Sequence, residues 1–137
     1  MSRHPAVAYL LLVRRHSTHC GMKPKLLLHI EGGTFLLVAC VLYQHFHGSW
    51  LWFALLFFVP DVSMFGYLLD KRAGAIAYNL VHTYTVPVFL LLALWFSGQT
   101  SYIWLALIWV AHIGFDRLLG YGLKYETAFK DMHLNRL

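Results

Sequence analysis

Charged side chains are scarce in this sequence, and their scarcity excludes an ordinary soluble fold. Asp, Glu, Lys and Arg make up 12% of the 137 residues, whereas hydrophobic residues make up 59%. Globular domains are typically about a quarter charged. Because a soluble domain of this size could not bury so much apolar surface, the composition predicts a single domain that faces lipid.

Cysteine is also scarce, which argues against a disulfide scaffold or a cysteine-based metal site. The sequence has two cysteines, Cys20 and Cys40, and no CxxC pair. The mostly helical chain between them would span roughly 20–30 Å at about 1.5 Å of rise per residue. A disulfide needs Cα atoms within about 7 Å, so we expect both thiols to be free.

Long apolar runs are what the sequence does contain. Four of them cover residues 26–42, 50–69, 73–96 and 102–119. Each is close to the roughly 20 residues that a membrane-spanning helix needs. The turns between them are short, which makes neighbouring helices antiparallel. The sequence therefore predicts an all-α membrane protein, built as an antiparallel bundle of four transmembrane helices.

Two of the three turns lack Lys and Arg altogether, and this asymmetry predicts the topology. The turns at 43–49 and 97–101 have no basic residue, whereas the turn between them carries Lys71 and Arg72. Further basic residues precede the first run and follow the fourth. By the positive-inside rule, both chain ends should be cytoplasmic. The net charge of +5 is thus a topology signal, and we expect no nucleic-acid partner.

The two ends of the chain flank this predicted transmembrane domain at 26–119. Residues 1–25 would form a cytoplasmic extension, whose apolar run at 6–13 is too short to span and has no signal-peptide cleavage site. Met22 would itself make a reasonable start. Residues 1–21 are therefore an extension from an upstream start, an interfacial helix or a disordered tail. Residues 120–137 should form an interfacial cytoplasmic tail.

Ionisable and amide side chains inside the apolar runs are the main functional signal. Each charged one costs roughly 2.5–3.5 kcal/mol on insertion scales, so such residues usually mark function or pair with one another. Measured from the predicted cytoplasmic boundary, the polar residues lie about 5–14 Å deep, and the outer halves hold almost none. We expect one polar cluster inside the bundle, open to the cytoplasm. Its members, the candidate catalytic residues, are Glu31, Asp61, Asn79, His82, His112 and Asp116.

The charge in that layer does not balance. Glu31, Asp61 and Asp116 offer three negative charges against the one positive charge of Arg117. A bound divalent cation, protonated histidines or protonated acids would each remove the excess. The sequence identifies no cofactor, but a divalent metal ion could bind. Its candidate ligands are Asp61, His82, His112 and Asp116.

Simpler interpretations compete with a functional one. Asp116 and Arg117 could form an ion pair at the membrane border, and the two histidines could hydrogen-bond across helices as packing contacts. Asp61 is harder to explain in this way, because it is deep and follows Pro60, which breaks a helical hydrogen bond. The tail could fold back over the cytoplasmic mouth. Supporting residues would be Tyr67, Tyr84, Arg117, Tyr121, Lys124, Asp131 and His133.

Several of these segments resemble the bacterial membrane proteins grouped as domain of unknown function 4260. The matching residues are LHIEG from residue 28, PD from residue 60, YN from residue 78, HIGFDR from residue 112 and GYGLKY from residue 120. The resemblance covers about residues 26–137. It implies a four-helix protein of the bacterial cytoplasmic (inner) membrane, and it supplies no activity.

Three functional hypotheses follow from the residues. The first is an enzyme, with or without a metal ion, that acts on a lipid-like or apolar substrate at the inner leaflet. In it Asp61 and Glu31 would be acid/base groups or ligands, His82 and His112 ligands or proton carriers, and Asn79 would orient the substrate. The second is a proton- or cation-binding transporter component, which would need a homo-oligomer at this length. The third is a structural or accessory subunit of the membrane.

Overall fold

The computed structural model describes residues 23–137 and is all-α. The expectations for residues 1–22, including the short apolar run at 6–13, lie outside the described residues. The α-helices are α1 (Pro24–His45), α2 (Trp50–Leu56), α3 (Lys71–Val81), α4 (Thr85–Phe96) and α5 (Ile103–Leu119), and 3₁₀ segments cover Val59–Leu68, Thr100–Tyr102 and His133–Asn135.

These elements form four spans that are long and apolar enough to cross a membrane. They are Pro24–His45, Trp50–Leu68, Lys71–Phe96 and Thr100–Leu119. Large apolar side chains stay exposed on their outer surfaces; Leu68 and Phe96, for example, are 81% and 83% exposed. The prediction of four apolar helices is confirmed. We call the end of the bundle where α1 begins and α5 ends the basic end, because Lys71 and Arg72 also lie there.

Helix α5 is the most buried element, and α1 packs closely along it. A Cβ on Gly114 of α5 would lie 2.7 Å from the backbone nitrogen of Leu36 and 2.8 Å from the carbonyl oxygen of Gly32. Only glycine permits the two backbones to approach this closely. Nine residues of α5 are buried, His112 among them. This contact therefore places the polar residues of α5 inside the bundle.

The second span changes character at Pro60. Helix α2 ends at Leu56, and the chain continues as the 3₁₀ segment Val59–Leu68. Proline has no N–H to donate and its ring clashes with the carbonyl four residues earlier, so an α-helix cannot continue regularly through it. The 3₁₀ segment packs against α3: a Cβ on Gly66 would lie 3.2 Å from the carbonyl oxygen of Ala73. Asp61 is thereby held beside α3.

The third span is interrupted between α3 and α4, whereas the sequence predicted one helix over 73–96. Pro87, in the first turn of α4, cannot donate to the carbonyl of Thr83, which would be its helical partner. Side chains of α5 bind the carbonyls freed at the interruption. Trp109 Nε1 donates to the Val81 oxygen at 2.8 Å, and Arg117 Nη2 lies 3.4 Å from the His82 oxygen. His82 therefore stands at a helix end fixed by α5.

The end of the bundle opposite the basic end is filled with apolar and aromatic side chains. Tyr43, Ile103, Leu107 and Ile108 form a buried cluster there. The Tyr43 hydroxyl donates to the Ser49 carbonyl at 2.6 Å, so its polar atom is satisfied locally. This packing leaves the polar chemistry of residues 23–137 concentrated towards the basic end.

The tail, residues 120–137, folds back on itself across the basic end. Lys124 and Met132 form an antiparallel bridge. Beside it, His133 N–H donates to the Leu123 carbonyl at 3.0 Å, and Leu123 N–H donates to His133 Nδ1 at 2.9 Å. Gly120, with φ of 91°, ends α5 in the left-handed conformation and starts the reversal. Residues of the tail thus reach the polar interior.

Candidate metal centre

Four side chains from three spans meet near the basic end of the bundle. Asp61 comes from the 3₁₀ segment, His82 from the end of α3, and His112 and Asp116 from one face of α5. One ligand atom from each lies within 4.8 Å of the others. The imidazoles are buried, at 2% and 1% exposed, whereas the Asp61 side chain is 32% exposed. We call this group the four-residue cluster.

The spacing within the cluster matches a tetrahedral metal site. His82 Nε2 lies 3.4 Å from Asp61 Oδ1 and 3.6 Å from Asp116 Oδ2. His112 Nε2 lies 3.6 Å and 3.8 Å from the same oxygens, and the two nitrogens are 3.2 Å apart. Zinc bonds of 2.0–2.2 Å imply tetrahedral edges of about 3.3–3.6 Å. Three of the five distances fall within this range, and the other two, 3.2 Å and 3.8 Å, lie just outside it, so the side chains are close to the spacing of ligands of one ion.

The tautomer of His82 also favours a cation. Its Nδ1 lies 3.0 Å from the Tyr78 carbonyl oxygen. A carbonyl can only accept, so Nδ1 carries the hydrogen, and a neutral His82 turns the Nε2 lone pair towards the cluster. That lone pair faces two carboxylate oxygens, and electron pairs so close repel one another unless a proton or a metal ion lies between them. Two carboxylates and two neutral imidazoles would balance one divalent ion.

Tyr78 supports two of the four side chains. Besides binding His82 through its carbonyl, its ring stacks on the His82 imidazole, with centroids 3.7 Å apart. Its hydroxyl donates to Asp116 Oδ2 at 3.2 Å. Outer contacts of this kind orient the ligands of metal sites and fix their protonation states. Tyr78 is not among the candidate residues predicted from the sequence, although it lies four residues before His82 and therefore on the same helix face.

A cavity of about 310 Å³ adjoins the cluster. Asp61, Asp116 and Lys124 line it together with largely apolar side chains such as Phe58 and Met64. Tyr121 lies on its wall as well. The cavity is at the lower end of the size range for small-molecule sites. Two of the cluster's carboxylates are therefore within reach of a small ligand.

Asn79 is not part of the cluster, although the sequence grouped it there. Its amide clamps the tail: Asn79 Nδ2 donates to the Lys124 carbonyl at 2.8 Å, and Lys124 N–H donates to Asn79 Oδ1 at 2.7 Å. Both backbone groups of Lys124 are satisfied in this way. Asn79 thus positions a residue of the cavity wall, and its expected role in orienting a substrate remains a prediction.

Glu31 lies apart from the cluster in a second polar pocket. This pocket, of about 190 Å³, is lined by Glu31, Tyr84, Arg117 and His133 together with Leu28 and Gly32, and we call it the Arg117 pocket. Arg117 Nη1 and the Tyr84 hydroxyl are buried and have no hydrogen-bond partner among residues 23–137. The ion pair that Asp116 and Arg117 could have formed does not occur within the described chain.

The remaining candidates have local partners. Asp131 is held by Arg136, with Arg136 Nε 2.9 Å from its Oδ1, and by the Thr127 hydroxyl. These two hydrogen bonds lower the pKa of Asp131. Tyr67 packs against Phe129 of the tail, with ring centroids 5.1 Å apart, and its buried hydroxyl has no hydrogen-bond partner among residues 23–137. Asp131 is thus engaged within the tail and does not join the cluster.

The comparison with protein families agrees with this architecture. The model of the family described as domain of unknown function (DUF4260) matches residues 25–137. The chain belongs to this family. No curated protein and no solved structure matches the chain. For this DUF4260 protein, any function must therefore be inferred from the site itself.

Some residues of this DUF4260 domain were invisible to sequence reasoning because their contacts involve the tail. Phe129 lies under the Lys124 ammonium, with the nitrogen 3.6 Å from the ring centroid. Met132 pairs with Lys124 in the bridge and lines the same cavity. The sequence offered the return of the tail to the bundle as one alternative. No periodic pattern indicated that Phe129 and Met132 would be the residues that contact Lys124.

Proposed function

We propose that this protein is a membrane metalloenzyme that acts on a lipid-like or apolar substrate. One divalent transition-metal ion would be bound by Asp61, His82, His112 and Asp116. The supporting observation is the set of five distances of 3.2–3.8 Å between their ligand atoms. Imidazole and carboxylate ligands without thiolate suit zinc, iron or manganese.

The bound metal ion would act as a Lewis acid. A divalent ion at this position would polarise a substrate oxygen or lower the pKa of a bound water. Asp61 is the ligand best placed to meet a substrate, because its side chain is 32% exposed and lines the cavity. His82 would remain fixed through the Tyr78 carbonyl. Tyr78 would hold Asp116 in its ligating position.

The surroundings of the site favour an apolar substrate. Phe58 is 62% exposed on the outside of the second span and also lines the cavity. Met64 and Leu119 belong to the same wall. A substrate with an alkyl or isoprenoid body could enter between these side chains from the surrounding lipid. The metal-binding carboxylates would then meet its polar end.

We propose a cytoplasmic location for this site. Lys71 and Arg72 lie at the basic end, and the turns at the opposite end contain no Lys or Arg. Positive charge favours the cytoplasmic side. The domain would thus consist of spans over 26–119 and a cytoplasmic tail over 120–137 in a bacterial inner membrane. The extension at 1–25 and a homo-oligomer both remain predictions.

A structural metal site is the second candidate. Four protein ligands that surround a tetrahedral ion leave no position for substrate, as in structural zinc sites. Catalysis would require the ion to take a fifth ligand, and the cavity beside Asp61 and Asp116 offers the space for one. A transporter finds less support, because Tyr43 and Leu107 belong to the apolar packing at the far end within residues 23–137. No polar path continues there through the described chain.

Metal analysis of the purified protein tests the proposal. In a mild detergent, the wild type should carry about one transition-metal ion per chain, as a single tetrahedral site implies. Asp61→Asn and His112→Gln should each reduce it to near zero, because each removes one ligand. Glu31→Gln serves as the matched control, since Glu31 lies in the Arg117 pocket, and it should retain the ion. Full metal content in both ligand variants would refute the proposed site.

Activity separates the enzyme from a structural metal protein. A membrane-lipid extract would be incubated with metal-loaded wild type and with His112→Gln, and its composition compared by mass spectrometry. A lipid species consumed only by the wild type supports catalysis. If none changes while His112→Gln loses thermal stability, the ion has a structural role.

A further inference from the structure

Lys124 is a buried cation that makes no ion-pair contact, although it lines the same cavity as Asp61 and Asp116. It is 4% exposed, and lysines are almost never fully buried unless paired. Among residues 23–137, no carboxylate lies within ion-pair distance of its ammonium. The nitrogen lies instead over aromatic rings, 3.6 Å from the centroid of Phe129, 4.2 Å from that of Tyr78 and 5.2 Å from that of Tyr67.

Both edges of the Lys124 backbone are fixed. On one edge it forms the bridge with Met132. On the other, Asn79 binds its N–H and its carbonyl at 2.7 Å and 2.8 Å. The backbone of Lys124 is thus held at the cavity wall by contacts that do not involve the charge of its side chain. This arrangement positions a cation for something that lies within the cavity.

The sum of the charges around the cavity indicates which kind of ligand would bind next to Lys124. With a divalent ion bound, the carboxylates of Asp61 and Asp116 and two neutral imidazoles sum to zero, so Lys124 leaves the cavity with one net positive charge. An unpaired charge in an apolar setting is costly, and aromatic rings offset only part of that cost. An anion would offset the rest. The apolar wall formed by Phe58 and Met64 would suit an alkyl body attached to it.

We propose that this cavity binds an amphiphile with an anionic oxygen head group, and that Lys124 is the residue that recognises the head group. This inference deepens the proposed function and rests on it. The head group is a carboxylate or a phosphate, and it lies between the Lys124 ammonium and the metal centre. Asn79 is then a positioning residue, because it acts on the ligand through Lys124.

Calorimetric titration of metal-loaded protein in a nonionic detergent tests the inference. The probes are dodecyl phosphate, dodecanol and inorganic phosphate, which separate the charge from the alkyl chain. Dodecyl phosphate should bind most tightly. Lys124→Met should weaken its binding about 10- to 100-fold, as expected for the loss of a hydrogen bond to a charged group. Lys124→Arg should restore most of the affinity, and Lys71→Met, which removes an exposed lysine, should leave it unchanged.

The possible outcomes test the anion site and the metalloenzyme proposal separately. Equal binding of dodecyl phosphate and dodecanol to the wild type would overturn the inference. Unchanged binding of dodecyl phosphate to Lys124→Met would also overturn it. The first comparison uses the wild type alone, so it does not depend on whether Lys124→Met folds. Inorganic phosphate bound as tightly as dodecyl phosphate would replace the amphiphile with a soluble anion and also overturn it. Metal content is measured in every sample. Lys124-dependent binding in protein that takes up no metal would refute the metalloenzyme while leaving the anion site intact.

Discussion

The four-residue cluster and the Arg117 pocket share the end of helix α5 but differ in how their polar atoms are matched. Asp116 belongs to the first and Arg117 to the second. Adjacent residues point about 100° apart around a helix of 3.6 residues per turn, which explains why sequence neighbours serve different sites. In the cluster every ligand atom has others within 4.8 Å, and the atom left without a described hydrogen-bond partner is the second ring nitrogen of His112, Nδ1. In the pocket Arg117 Nη1 and the Tyr84 hydroxyl have no described partner.

This difference is the reason for placing the proposed metal chemistry in the four-residue cluster. The cluster holds electron-pair donors at the spacing of one coordination sphere, with His82 fixed by Tyr78. The Arg117 pocket holds a buried donor beside an exposed acid, Glu31. Unsatisfied buried donors usually bind water, and such a pocket needs no cofactor to be stable. We therefore expect the two sites to respond oppositely to metal and to mutation.

The largest expected effect is on metal-dependent stability, comparing the neighbours Asp116 and Arg117. Metal at about 1,000 times its dissociation constant should stabilise the wild type by about 4 kcal/mol. Asp116→Asn should lose nearly all of this gain because it removes a ligand. Arg117→Met should keep most of it, because Arg117 supplies no ligand and its contact with the His82 carbonyl oxygen is long, at 3.4 Å. Thermal unfolding with and without added zinc measures both. Equal losses in the two variants would show that the sites are not separate.

A smaller effect is expected from the adjacent glycines Gly32 and Gly33 of α1. A Cβ on Gly32 would lie 2.8 Å from the Gly114 carbonyl oxygen, which as backbone cannot easily yield, whereas one on Gly33 would meet only a Leu118 methyl at 3.3 Å. Overpacking costs about 1–3 kcal/mol. Gly32→Ala should therefore destabilise the protein by that amount, and Gly33→Ala should not.

The metal content of the two glycine variants tests whether the four-residue cluster depends on the packing of α1. Helix α1 lines the Arg117 pocket but supplies no ligand to the cluster. Both alanine variants should thus retain the full metal content while their unfolding free energies differ. Loss of metal in Gly32→Ala would mean that α1 is needed to hold the ligands on α5.

The smallest effect is a local dependence on pH at His133. Burial, reinforced by the nearby Arg117 guanidinium, holds the pKa of His133 below its ordinary value of 6.5. The neutral ring accepts from Leu123 N–H at 2.9 Å, so folding favours the neutral form. This contribution to stability is complete above pH 6.5 and is lost as the pH falls through the lowered pKa.

Hydrogen exchange of the Leu123 amide measures this contribution. Protection should decrease as the pH is lowered below the ordinary histidine value, after correction for the intrinsic exchange rate. His133→Asn supplies an acceptor that does not titrate, so its protection should stay constant over the same range. A decrease of equal size in this variant would assign the effect to another group.

The hydropathy of the sequence predicted the spans, and the depth of each polar residue below the predicted membrane boundary predicted much of the cluster. The four apolar runs gave the spans to within a few residues, because the length of an apolar run is a direct property of the sequence. Counting residues from the boundary placed Asp61, His82 and His112 at similar depths, and the structure brings them together with Asp116. Depth works here because antiparallel helices share a common boundary.

Rotation about the helix axis was not predictable in the same way. Glu31 has a suitable depth, but it lines the Arg117 pocket, because the facing direction of α1 depends on how Gly32 packs against Gly114. The interruption before Pro87 also went unpredicted, since proline is often tolerated in a spanning helix. Asn79 binds the tail, and a polar tail leaves no periodic signal.

The origin of the four side chains has a consequence for biosynthesis. Asp61 and His82 belong to the second and third spans, whereas His112 and Asp116 both belong to the last. If the cluster binds a metal ion as proposed, the nascent chain could not complete the coordination sphere until its final helix had left the ribosome. Until then Asp61 and His82 would remain without their partners, and cation capture would be a late step in the formation of the protein.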